Sequence, residues 1–211
     1  MDRPLRVAAL ASGRGSNLGA LIAARLPVEF VLVGSDKASA GALAVARDAG
    51  IPAIALNPRD YADRAAFDRA LFGRVADAGA DLLVLAGFMR IIDASVVAEW
   101  EGRAINVHPS LLPKYRGLHT HRRCLEAGDG EHGASVHFVT AELDGGPVVA
   151  QARIAVRPDD TEASLAGRLL VEEHKLLPAV VGAIASGRLR WNQGPMFDGR
   201  ALAQPLDLAA L

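Results

Sequence analysis

The sequence predicts an α/β protein: an open, mostly parallel, twisted sheet with helices on both faces and antiparallel strands toward the C-terminal part. Three observations predict it. From Arg6 to Ala86 short apolar runs alternate with amphipathic segments of helix length, giving the order βαβαβαβ. The run Asp81–Ala86 is apolar past its first residue, as a strand buried on both faces requires. Ala134–Val139 and Pro147–Ile154 alternate instead, and the loop between them, Thr140–Gly146, is too long for a tight hairpin.

Each element has its own signal. Arg6–Ala11 reads as a buried first strand. It runs into Ser12-Gly13-Arg14-Gly15-Ser16-Asn17 and then an Ala/Leu-rich helix from Leu18 to about Leu26. Glycine supplies the turn, Ser and Asn cap helices, and the free N–H groups of a helix start attract an anion. Phosphate is the obvious candidate, and a plain strand–helix turn is the bland one. Val28–Ser35 is the second strand. Ala40–Ala49 is a helix closed by Gly50, with Pro52 just beyond. Ala53–Leu56 is a short third strand, and Tyr61–Ala78 is a helix with Phe67, Leu71 and Val75 at helical spacing.

The loop Gly87–Ile92 follows the fourth strand and carries Phe88, Met89, Ile91 and Ile92. It fits either a core segment over the sheet edge or an apolar wall for a flat ligand. Ser95–Trp100 is a short helix, and a second one runs from Leu118–Arg122 through Glu126. Thr161–Ala185 is a long helix with a stripe of Leu165, Leu169, Leu176, Val180 and Ile184, which Pro178 is expected to kink or end. Glu173 falls on or beside that stripe, where a carboxylate needs a partner or lies at a wet edge. Arg190–Asn192 is expected to add an edge strand; the tail after Gly199 carries no pattern.

Composition excludes several classes. The formal net charge of −1, with no basic block, gives no electrostatic footprint for nucleic acid. Cys124 is the single cysteine, which rules out an intrachain disulfide and a cysteine-based zinc site. His119 and His121 lie two apart, but no carboxylate or cysteine stands at a matching short spacing, so no metal is expected. No apolar run is long enough to span a bilayer, and the default expectation is a cytoplasmic chain of one domain, 1–211, as a monomer or homodimer.

The stretch Ala104–Gly117 is the candidate centre. On the strand Ala104–His108, Ile105 and Val107 point one way and Asn106 and His108 the other, and Pro109 stops the ladder. Polar side chains at the carboxyl end of a central strand are where open α/β sheets place ligand chemistry. An amide N–H and an imidazolium N–H together stabilise an oxyanion. No Gly-x-Ser-x-Gly elbow is present, so Ser110 has no hydrolase context and the acceptor is a bound substrate or water. Asp144, on its Gly-rich loop, is the best-placed carboxylate, and a carboxylate beside an imidazole raises its pKa. An ordinary turn aspartate is the competing reading. His137 by itself reads as a hydrogen-bonded structural histidine.

These motifs together resemble the phosphoribosylglycinamide formyltransferases, the folate-dependent enzymes of purine synthesis. The matching runs are Ser12–Asn17, Leu85–Ile91, Asn106–Pro113, Gly117–His121, His132–Val139 and Leu143–Pro147, and Glu173-His174 extends them into the last long helix. The Asn-x-His-Pro-Ser-x-Leu-Pro run marks the wider formyltransferase superfamily; His-Thr-His and Asp-Gly-Gly-Pro narrow it.

The resemblance implies a Rossmann-like formyltransferase fold, with a phosphate-binding half, 1–100, and a catalytic and folate-binding half, 101–211. It implies that the backbone of Gly15, Ser16 and Asn17 holds the 5′-phosphate of 5-phosphoribosylglycinamide and that Glu173 binds the ribose hydroxyls. It puts Met89, Arg90, Ile91, Ile92 and Asn106 in the pocket for 10-formyltetrahydrofolate, and Arg64 near the folate's glutamate tail. It makes Asn106, His108 and Asp144 the catalytic triad and the Leu112–Pro113 bond cis. The implied reaction is direct formyl transfer, with Asp144 keeping His108 protonated. Arg116 stands where some members have Pro and touches no assigned role.

Three rivals remain at the level of sequence. A methionyl-tRNA formyltransferase normally has an added RNA-binding domain, for which this chain is expected to be too short. A formyltetrahydrofolate deformylase usually has an N-terminal regulatory domain, for which a first strand near residue 6 leaves no room. A dinucleotide-binding module is faintly mimicked by Gly13-x-Gly15 and Asp36, but Leu18 occupies the third glycine position.

Overall fold

The computed structural model describes residues 3–211. The first half alternates as the pattern requires. β1 (Leu5–Leu10), α1 (Ser16–Ala23), β2 (Val28–Ser35), α2 (Gly41–Asp48) and β3 (Ala53–Ala55) come first. A 3-10 turn at Pro58–Asp60, α3 (Arg64–Asp77), β4 (Leu82–Leu85) and α4 (Ala94–Glu99) follow. The second half holds β5 (Ala104–His108), α5 (Thr120–Ala127), β6 (Glu131–Phe138), β7 (Val148–Ala155) and α6 (Glu162–Ala185). Short strands β8 (Leu189–Trp191), β9 (Pro195–Phe197), β10 (Arg200–Ala201) and β11 (Leu206–Asp207) close the chain.

Eight strands form one sheet in the order β11-β7-β6-β5-β4-β1-β2-β3. β3, β2, β1, β4 and β5 are parallel, whereas β6 and β7 turn antiparallel. Helices cover both faces. One core packs Val7, Ala9, Val84 and Ile105 against α1, α2 and α6; the other packs Ala8, Leu10 and Leu83 against α3 and α4. The stripe Phe67, Leu71 and Val75 of α3 is fully buried, and each such side chain contributes about 2 kcal/mol.

The expected edge strand is present as β8, at the edge of a separate three-stranded sheet with β9 and β10 and not of the main sheet. In the tail, which carries no pattern in sequence, β11 lies parallel to β7 as the outer strand of the main sheet. Strands this short have no measurable alternation, so their pairing partner decides them. Pro178 does not end α6, which runs through it. The buried residues Leu176, Leu177, Val180 and Val181 bracket it, and their packing outweighs the one lost backbone hydrogen bond.

The topology sets where chemistry can occur. β1, β4 and β5 are parallel neighbours, so the loops after them emerge on one edge of the sheet. β6 returns antiparallel beside β5 and pairs His137 with Asn106 and Ser135 with His108. No helix among the described residues is long and apolar enough to cross a membrane.

Candidate active site

Asn106 is half-buried on β5 and His108 is buried two residues on, with Ile105 and Val107 buried on the other face. Directly across from Asn106 stands His137. Its Nδ1 lies 2.9 Å from the Phe138 carbonyl, an acceptor, so Nδ1 carries the proton. Nε2 then accepts from the Asn106 amide at 3.1 Å. This fixes which way the amide points: its NH2 faces the cleft side and keeps a second N–H to give.

Asp144 lies between the two imidazoles. Its Oδ2 is 3.4 Å from His108 Nδ1 and its Oδ1 3.6 Å from His137 Nε2. The Gly117 N–H donates to Oδ2 at 2.8 Å, which helps hold Asp144 in a left-handed conformation with φ 48°. Burial pushes the Asp144 carboxyl up. The His137 ring, the Gly117 N–H and the charge on His108 outweigh burial and leave it below the usual carboxylate range. A turn aspartate has become the hub of the site.

His108 departs from expectation in two ways. Burial is the largest influence and lowers its pKa, although the Tyr115 carbonyl and Asp144 both act to raise it. The carboxylate alone therefore does not keep the ring charged. Both ring nitrogens also have partners, since Nε2 lies 2.9 Å from the Tyr115 carbonyl and Nδ1 faces Asp144. Asn106 thus keeps a free N–H, while both His108 nitrogens face oxygens of the protein.

The Gly-rich loop after β1 is built for close approach. Gly15 has φ 82°, and a Cβ there would fall 2.6 Å from the Ala42 Cα, so only glycine fits. It caps α1, whose first N–H groups, from Ser16 and Asn17 onward, have no helical partner. Glu173, 7% exposed on α6, accepts from Asn17 Nδ2 at 2.8 Å. Burial raises its pKa, partly offset by that bond. The acid on the apolar stripe is thus paired, and it faces the Gly-rich loop.

A cleft with a volume of about 80 Å³ opens beside Asn106. Arg90, Ile91 and Ile92 form one wall with Leu85, Phe88 and Val97; Val139 and residues 140–144 form the other. Asn106, His137 and Asp144 are its polar end. Met89 lies outside the lining and is 66% exposed. Arg64 is exposed in the first turn of α3 and also does not line the cleft. An exposed loop methionine and a helix-end arginine follow the local backbone, which turns both outward.

The sequence reading missed His137 as a site residue, along with Leu85, Phe88, Val97, Val139 and the loop 140–143. His137 could be found only through the β5–β6 register. His119 and His121 point to different surroundings. His119 is exposed, and His121 Nδ1 lies 3.1 Å from His132 Nε2. No group of three or more potential metal ligands gathers among the described residues. The Leu112–Pro113 bond is cis.

Known proteins resemble this chain along its length. A phosphoribosylglycinamide formyltransferase of Escherichia coli is 45% identical over 203 residues, covering 94% of this chain and 96% of that protein. A trifunctional purine biosynthetic protein of Drosophila melanogaster is 44% identical over 88% of this chain, which spans 14% of that longer protein. The structure of the phosphoribosylglycinamide formyltransferase of Coxiella burnetii superposes with a TM-score of 0.93 at 41% identity, over 97% of this chain and 99% of that one. Residues 5–181 match the family model described as formyl transferase. A match of that extent, with relatives that align along nearly the whole chain, means that this protein belongs to the formyl transferase family.

Proposed function

We propose that this chain transfers the formyl group of 10-formyltetrahydrofolate to the amine of 5-phosphoribosylglycinamide, a step of purine biosynthesis. The carrying observation is the cluster of Asn106, His137, Asp144 and His108, the first three of which line an apolar cleft. The apolar walls of that cleft suit a flat pterin, and the start of α1 with Glu173 opposite suits a phosphorylated ribose. The names of the relatives support the same substrates.

In this reading Ser16 and Asn17 hold the phosphate by backbone N–H groups, and Glu173 accepts from the ribose hydroxyls. Ile91, Ile92 and Arg90 wall the folate slot, with Met89 at its mouth and Arg64 beyond it toward the glutamate tail. The glycinamide nitrogen attacks the formyl carbon, and the carbonyl electron pair moves onto oxygen. The free N–H of Asn106 donates to that oxyanion, a donor of the kind worth roughly 10²- to 10³-fold in rate. Asp144 stays ionised and draws the proton lost by the nitrogen onto His108. As the oxyanion collapses, the bond from carbon to folate N10 breaks, and His108 returns the proton to N10. Lowered by burial, its pKa makes the imidazole a ready acceptor rather than a fixed cation.

The test is a formyl-transfer assay with 5-phosphoribosylglycinamide beside a folate-only hydrolysis control. Formylated ribonucleotide that depends on both substrates is expected. Release of formate at equal rate without the ribonucleotide would instead make the chain a deformylase.

A further inference from the structure

One wall of the apolar cleft is the loop Gly87–Asp93, between β4 and α4. Phe88 is buried in the core and Ile92 packs against it, but Met89 is 66% and Ile91 56% exposed, so apolar burial anchors only part of the loop. Two buried side chains tie it, one at each end. Ser12, 5% exposed, accepts the Met89 N–H on Oγ at 2.9 Å, and the Ser12 N–H donates to the Gly87 carbonyl at 2.9 Å. Asp68, fully buried on α3, accepts the Asp93 N–H on Oδ2 at 2.8 Å. Neither side chain lines the cleft.

Asp68 is the less expected of the two. A carboxylate with no exposure in the middle of a helix is costly unless something needs it. Burial pushes its carboxyl up, against the Asp93 N–H and the charges of Arg90 and Arg64. Among the described residues its Oδ1 has no partner, and neither does the buried Nε of Arg90. The Arg90 guanidinium stacks 4.9 Å from the centre of the Phe67 ring, on the residue next to Asp68 in the chain. Arg90 thus reaches from the cleft wall onto α3, beside a carboxylate with one oxygen free.

We propose that Ser12 and Asp68 are positioning residues for the folate slot. They clamp the two ends of the Gly87–Asp93 wall, and Asp68 also steadies Arg90 by its charge, so the wall is formed before the pterin arrives. The inference rests on the folate reading of that cleft. Ser12 also begins the loop that leads to the phosphate cradle, so one hydroxyl joins the walls of the two substrate sites.

The experiment compares the full chain with Asp68→Asn and Ser12→Ala. Tetrahydrofolate serves as the binding probe by calorimetry, and steady-state kinetics are run with each substrate varied. Asp68→Asn keeps an acceptor for Asp93 but removes the charge. It is expected to weaken tetrahydrofolate binding and raise the folate KM by about tenfold, the size of one charge-assisted hydrogen bond. Ser12→Ala is expected to do so by about fivefold. In Asp68→Asn, kcat and the ribonucleotide KM stay within about twofold. Folded variants that melt lower but bind tetrahydrofolate as the wild type does would show a merely structural role and overturn the inference. If Asp68→Asn does not fold, unchanged affinity in Ser12→Ala overturns it by itself. A wild-type chain that does not bind tetrahydrofolate defeats the folate reading itself, an outcome separate from equal binding by wild type and variants.

Discussion

Asp144 faces two imidazoles whose far nitrogens are each held by a backbone carbonyl, Tyr115 for His108 and Phe138 for His137. The arrangement holds the rings still and leaves the carboxylate to decide where a proton rests. Replacing His108 by Ala is expected to cut formyl transfer by roughly a hundred- to ten-thousandfold at saturating substrates, the contribution of a general acid–base, with Asn106 left in place. Steady-state kcat checks this, and near wild-type turnover would remove His108 from the mechanism. Asp144→Asn takes away one of the two contributions that oppose burial at His108. The His108 pKa should fall further below its ordinary value, which an NMR titration of the imidazole reads, and kcat should fall with it. An unmoved titration would mean that the 3.4 Å approach carries no coupling.

At the scale of elements, the crossing of α1 and α2 depends on a missing side chain. Gly15→Ala adds a Cβ 2.6 Å from the Ala42 Cα at a φ of +82°, and the backbone conformation alone costs about 1–2 kcal/mol. The variant is expected to melt several degrees lower and to raise the ribonucleotide KM while tetrahydrofolate affinity stays near wild type. Thermal unfolding and the two binding constants check this together. Elements were also where the sequence was most legible. The βαβ alternation, the shared face of Asn106 and His108, and the lone acid on the α6 stripe all follow from periods of 2 and 3.6. His137 did not follow. Alternation places it on a face of β6, but only the register of β6 against β5 puts it opposite Asn106. Met89, from the motif, and Arg64, placed by resemblance near the glutamate tail, are exposed and do not line the cleft. The two-residue strands of the tail have no period to read.

At the scale of the molecule, stability should respond to pH through buried histidine. His132 is 1% exposed against His121, and its pKa is pushed down to about 4, first by burial and then by the neighbouring ring. Its unfolded value is near 6.5. Between those pH values the unfolded chain binds the extra proton, so the stability present above about pH 6.5 is lost as pH falls toward 4. The loss is ~3 kcal/mol, or a fall in Tm of about 10 °C. Melting curves from pH 7 to 4 check it, and His132→Gln should flatten the slope.

The hydrogen bond from Asn17 to Glu173 joins residues 156 positions apart. If these residues hold the ribonucleotide, as proposed, the bond dates the completion of that pocket during synthesis. A growing chain has the Gly-rich loop early, yet lacks the facing carboxylate until α6 has left the ribosome and docked beside α1. Folding intermediates without α6 should discriminate poorly between a phosphorylated ribose and any other anion. Selectivity arrives late, with the last long helix.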